Sequence, residues 1–101
     1  MADKFDTAAQ IVQSLPKDGP VQPTVEDKLL FYGWYKSVKV GAVDHTRPRL
    51  MDFEGKAKWD AWNAAQTTPT NECKRLYVQK LIAILEASDS EEAKKYLAQL
   101  K

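Results

Sequence analysis

A chain of 101 residues has the length of one domain, and its 44% hydrophobic and 29% charged residues are a globular mixture rather than that of a disordered segment. Fifteen basic against fourteen acidic residues leave a net charge of +1, so no global field draws the chain onto nucleic acid or an anionic membrane, and any anion site must be local. The one cysteine, Cys73, excludes an internal disulfide and a cysteine metal cluster. With no long apolar run, and no apolar leader core in MADKFDTAAQ, a cytoplasmic protein without a membrane span is expected.

Phe5, Ala8, Ala9, Val12 and Leu15 recur at helical spacing up to Pro16 and predict a first helix. Residues 17–23 are rich in glycine and proline and read as a loop. Thr24 followed by Asp27 has capping spacing ahead of Leu29, Leu30 and Phe31, and Gly41 is a natural stop, so a second helix is expected over 25–40. Residues 41–52 carry no clean period and predict a functional loop, with Asp52 as a cap for the next helix. Gly55, Trp59 and Trp62 at i, i+4 and i+7 predict that short third helix, interrupted at 67–71. Thr68 and Pro69 then start a fourth, carried by Cys73, Leu76, Tyr77, Leu81, Ile84 and Leu85. Ser88 to Glu91 has capping-box spacing, and Ala93, Tyr96, Leu97 and Leu100 predict a short fifth helix. No segment alternates apolar with polar residues between turn signals, so the expected class is all-α.

At about 100° per residue, Leu30, Phe31, Trp34 and Val38 share one side of the second helix, which should face a core. Lys28, Leu29, Tyr32, Tyr35, Lys36 and Lys39 occupy the other, so phenol rings alternate with ammonium groups. Tyr32 and Lys36 stand one turn apart, where a hydroxyl and an ammonium can converge on one phosphate while Tyr35 offers a ring for a base. The structural alternative is a solvated lysine face whose tyrosines pack under a neighbouring loop.

The run LLFYGWYKSVKVG at residues 29–41 resembles the tyrosine-rich helix of the acyl-CoA-binding protein family, and RPRLMDFEGKAKWDAW at 47–62 resembles its central signature. FDTAAQIVQSLP at 5–16 is similar to its first helix, so the likeness runs from about Phe5 to Leu85. The resemblance implies a four-helix, up-down-down-up bundle over residues 1–87, with residues 88–101 as a C-terminal helical extension. It also implies a non-catalytic carrier and pool former for long-chain fatty acyl-CoA, bound one to one, with no cofactor and no metal. By motif, Tyr32, Tyr35, Lys36, Lys58 and Tyr77 would contact the ligand, while Phe5, Ala9 and Leu29 would line the bowl. A monomer is expected, with no stable membrane insertion and any membrane contact transient, during ligand exchange.

Three departures from the family pattern stand out. Gln13 occupies a position where many relatives carry lysine, with Lys17 the candidate replacement. The 17–23 loop is longer than in short members. Arg49 stands where glycine is usual, which asks a non-glycine residue to adopt that backbone. Trp62 reads as core and Trp59 as borderline, His45 as a surface residue, and Cys73 as a small buried hydrophobe. A single-stranded nucleic-acid module would also use tyrosines beside lysines, but near-zero net charge argues against it. The remaining alternative is an interaction module with a tyrosine face for a partner protein.

Overall fold

The computed structural model describes residues 3–101, so Met1 and Ala2 of the expected 1–87 segment lie outside the described residues. It contains α1 (Lys4–Ser14), α2 (Val25–Lys39), α3 (Phe53–Ala65), α4 (Thr70–Ala87) and α5 (Glu91–Leu100), and no strand among the described residues. The all-α class is as expected. Within the bundle α2 packs on α3 and α4, and α4 packs in turn on α1 and α5, so α4 is the central helix.

The helix starts follow from side chains that satisfy otherwise unpaired backbone N–H groups. The backbone N–H of Asp27 donates to Thr24 Oγ1 at 3.0 Å, and that of Thr24 donates back to Asp27 Oδ2 at 3.1 Å. The same carboxylate meets Lys80 Nζ at 3.0 Å, which ties the start of α2 to α4. Asp52 Oδ1 accepts from the Gly55 N–H at 2.9 Å. A Cβ on Gly55 would meet the Asp52 carboxylate, which would have to turn aside to make room. Gly41, at φ 102°, takes the chain out of α2 through a conformation that side chains resist.

Two starts differ from the sequence reading. Ser90, not Ser88, caps α5, accepting from the Ala93 N–H at 3.1 Å, while the Ser88 hydroxyl donates to the Pro20 carbonyl at 3.3 Å. A tertiary partner thus takes the hydroxyl that the local pattern reserved for the cap. In α4 Pro69 itself occupies the cap position, with no side-chain bond, and the helix begins at Thr70.

The core runs from Phe5 and Ile11 of α1 through Phe31 of α2 and Tyr77, Leu81 and Leu85 of α4 to Ala93 and Leu100 of α5, joined by Val21 from the 17–23 loop. Leu30, expected in the core, is 42% exposed. The reason is where α3 lies. Gly33 and Ser37 are buried against it, so the packed side of α2 is turned away from Leu30 toward residues the wheel leaves between its two faces. The Ser37 hydroxyl donates to the Ala65 carbonyl at 3.2 Å. A Cβ on Gly33 would stand 2.5 Å from the Ala61 oxygen, so the helices meet almost backbone to backbone.

Gly33→Ala should gain up to about 1 kcal/mol of helix propensity and lose more to overpacking, leaving a net destabilisation of about 1–3 kcal/mol. Urea unfolding with a lower midpoint and unchanged slope is expected; an unchanged midpoint would mean that α2 and α3 separate at no cost. Leu100→Ala should destabilise by about 2 kcal/mol or more although it is the penultimate residue, because its side chain is only 1% exposed. Wild-type thermal unfolding would show instead that α5 is frayed in solution.

Candidate functional site

Val12 and Gln13 of α1, Lys28, Phe31, Tyr32, Tyr35 and Lys36 of α2, and Tyr77 of α4 surround an open cavity of about 300 Å³. Its floor is aromatic. Phe5 meets Tyr77 edge to face at 5.1 Å and stacks on Tyr35 at 6.2 Å, while Phe31 lies 4.7 Å from Tyr77 between ring centres. Tyr77 is 2% exposed, and this burial, with the neighbouring Tyr35 adding a smaller push, raises its phenol pKa far above the usual range. It therefore remains a neutral O–H group that can donate to an anion at any physiological pH.

The rim carries the charge. Lys36 Nζ lies 5.8 Å from the centre of the Tyr32 ring and 5.4 Å from that of Trp62, and Lys58 Nζ reaches across from α3 to within 5.7 Å of the same Tyr32 ring. Two ammonium groups from different helices thus flank one phenol. Lys58 also pairs with Glu54 one turn back at 3.1 Å. Such an exposed i,i+4 pair contributes little, and an arriving polyanion can take the lysine from it. Lys39, on the same side of α2, turns to α1 instead: its Nζ is 3.3 Å from Asp6 and 5.8 Å from the centre of the Phe5 ring.

A second cavity of about 190 Å³ shares Val12 and Lys28 with the first and lies beneath the 17–23 loop, bordered by Leu15, Pro16, Val21 and Pro23 together with Lys17 and Gln22. Ammonium and apolar side chains thus border both cavities, and the phenols border the first.

Of the residues expected at the site, Tyr32, Tyr35, Lys36 and Tyr77 line the first cavity together, and Lys58 joins them through the Tyr32 ring. Phe5 and Ala9 are buried at 2% and 5% exposure and fall outside the lining, Phe5 lying behind it against Tyr35 and Tyr77. Leu29 is half-buried and outside the lining. Val12, Lys28 and Phe31 line the cavity although the sequence does not single them out as ligand contacts, and Gln13 lines it from the position where many relatives carry lysine. Lys28 shares the tyrosine side of the helical wheel, whereas Val12 becomes visible only once α1 is docked. Lys17 borders the second cavity rather than the first, so the cation common to both is Lys28.

The 41–52 loop is fastened to α3 at four alternate residues. Trp62 Nε1 donates to the Gly41 carbonyl at 2.7 Å, and the Val43 N–H donates to Gln66 Oε1 at 3.0 Å. Trp59 Nε1 donates to the His45 carbonyl at 2.9 Å, and Arg47 donates twice to Asp60, at 2.8 and 2.9 Å. Trp62 is core, as expected, and half-buried Trp59 is a clamp. His45 is exposed beside Asp44, and Cys73 is fully buried. Arg49 needs no glycine conformation, since no described non-glycine residue has a positive φ. Among the described residues, no group of three or more histidine, cysteine, aspartate or glutamate side chains could hold a metal ion, and no helix is long and apolar enough to cross a membrane.

Residues 2–81 match the family model described as Acyl CoA binding protein. Acyl-CoA-binding protein homolog 3 of Caenorhabditis elegans is 36% identical over 81 residues, covering 80% of this chain and 70% of that one. Acyl-CoA-binding domain-containing protein 5 of Gallus gallus is 41% identical over 86 residues, 85% of this chain; these span only 18% of the chicken protein. The crystal structure of the acyl-CoA-binding protein from Moniliophthora perniciosa superposes with a TM-score of 0.92 at 52% identity, covering 96% of this chain and 92% of that one.

Arg47→Ala should leave helicity intact and speed amide exchange at Val43 roughly three- to tenfold, because one of the four fastenings is gone. Exchange at the wild-type rate would show that the tryptophans hold the loop unaided.

Proposed function

The chain belongs to the acyl-CoA-binding protein family, and from that premise we propose that it binds long-chain fatty acyl-CoA one to one, as a monomeric cytoplasmic carrier and pool former that performs no catalysis. The observation that carries this reading is the convergence of Tyr32, Tyr35, Lys36 and Tyr77 on one largely apolar cavity bordered by Lys28 and Lys36, which shares Val12 and Lys28 with a second cavity under the 17–23 loop. An acyl-CoA joins a multiply charged nucleotide to a hydrocarbon tail and needs both kinds of surface side by side.

Each buried methylene contributes roughly 0.8 kcal/mol, so the acyl chain supplies most of the affinity even after ordering costs. Hydrogen bonds to charged groups contribute about 1.5–3 kcal/mol each and separate the coenzyme ester from a free fatty acid. In this reading Lys36, Tyr32 and Lys58 hold phosphate, Tyr35 and Tyr77 complete the seat, and Phe5, Ala9 and Leu29 support the wall beneath the thioester and chain. A nucleic-acid module would need a basic surface that a net charge of +1 does not supply.

Titration calorimetry with long-chain acyl-CoA, coenzyme A, free fatty acid and single-stranded nucleic acid tests the reading. One-to-one binding of the ester, with much weaker binding of either half, is expected; comparable affinity for the free acid would overturn it. Lys36→Ala should then weaken the ester by about 1.5–3 kcal/mol and Lys39→Ala by well under about 1 kcal/mol, since Lys36 lines the cavity and Lys39 does not. Equal losses in two folded variants would point to a diffuse basic face instead of a phosphate seat.

A further inference from the structure

The second cavity, under the 17–23 loop, carries two ammonium groups with nothing to hold. Lys17 and Lys28 both border it, and neither meets a carboxylate among the described residues. Of the acidic residues beside them in the chain, Asp27 is taken by Lys80 and by the Thr24 N–H. Asp18 and Glu26 are exposed and enter no ion pair, and Glu26 stands two places from Lys28 on α2, where side chains do not face each other. The charge around this cavity is therefore positive and uncompensated.

The loop above it is held in place. The Gly19 N–H donates to the Pro16 carbonyl at 3.3 Å, Gln22 Nε2 donates to the Gly19 carbonyl at 3.0 Å, and the Ser88 hydroxyl donates to the Pro20 carbonyl at 3.3 Å. Val21, in the middle of the loop, is 1% exposed in the core. Leu15, Val21 and Pro23 thus offer fixed apolar walls around about 190 Å³, with the two lysines at their border.

Apolar walls with unpaired cations suit an anion that ends a hydrocarbon chain. A phosphate is more heavily charged and hydrated, and carbon walls cannot replace the water it would lose. A plain methyl end would fill the walls and leave both lysines unused. A carboxylate answers both features, because its methylenes lie against carbon while its oxygens accept charged hydrogen bonds. We propose that the second cavity receives the far end of an acyl chain that terminates in a carboxylate, with Lys17 and Lys28 pairing with that group. The ligand class is the mono-coenzyme A ester of a long-chain dicarboxylic acid, and this step rests on the acyl-CoA reading for the coenzyme half. The chain passes from one cavity to the other along the Val12 and Lys28 side chains they share.

Titration calorimetry with hexadecanoyl-CoA, hexadecanedioyl-CoA and the ω-methyl ester of the latter tests the assignment, since the three differ only at the far end of the chain. The quantity read is the ratio of the dissociation constants of the carboxylate-ended and plain esters, which cancels any effect of Lys28 on the coenzyme half. In the Lys17→Ala, Lys28→Ala variant, with folding checked by circular dichroism, this ratio should rise at least about tenfold, because the carboxylate must then be buried unpaired or withdrawn with its methylenes. The methyl-capped ester should follow the plain one in both proteins. A smaller rise overturns the proposal, and so does a capped ester that responds like the charged one. Free hexadecanedioic acid separates this inference from the reading beneath it. Plain ester bound one to one with an unchanged ratio would leave the carrier reading standing and remove the carboxylate seat. Free dicarboxylic acid bound by the wild type and lost in the double variant, with neither coenzyme ester bound, would keep the seat and remove the carrier reading.

Discussion

Tyr77 is the contact on which the molecule turns. From the central helix α4 its buried ring is touched edge to face by Phe5 of α1 and at 4.7 Å by Phe31 of α2, so three helices share one aromatic junction. Truncating a buried aromatic to alanine typically costs about 3–5 kcal/mol, a large fraction of the stability of a domain this size. The same ring also borders the cavity. The junction therefore fixes the bundle and the floor of the site in a single arrangement, and the site cannot shift without repacking the core.

α2 carries the second constraint. It presents Phe31 to the junction, Gly33 and Ser37 to α3, and Tyr32 and Lys36 to the cavity rim. These demands use nearly the whole circumference of a helix of 15 residues, which is why it contains a glycine in mid-helix despite the propensity cost. Tyr35 lies at the boundary between two of them, stacked on Phe5 from below and lining the cavity above. A tyrosine suits that position because its ring tolerates burial while its hydroxyl stays wet.

What can be read from the sequence divides by range of interaction. The Thr24–Asp27 box and the Asp52 cap lie within one turn of their partners, so their spacing alone announces them. Tyr32, Tyr35 and Lys36 share a helix side by arithmetic, and their convergence is visible for that reason. Ser88 and Ser90 look alike locally, and only the Pro20 carbonyl, 68 residues away from Ser88, decides between them. Leu30 is misplaced by the wheel because a wheel knows only the hydrophobicity of its own residues, and the close approach of α3 is made through a glycine and a serine. The fastening of the 41–52 loop is illegible for a related reason: two of its four acceptors are backbone carbonyls, which every residue possesses.

The segment 88–101 lies beyond the family-model match and is part of the core in space. The family match ends at residue 81, yet Ala93 and Leu100 belong to the same buried cluster as Phe5, Leu81 and Leu85. Val21, from the 17–23 loop, is 1% exposed and joins that cluster too, and Ser88 is bonded to its neighbour Pro20. A loop carrying a buried valine needs apolar cover, and α5, which packs on α1 and α4, adds to the same cluster. Val21 and Pro23 of that loop also wall the second cavity beside the tyrosine seat. The loop and the last helix thus share one buried cluster, and through Val21 that cluster reaches the wall of the second cavity.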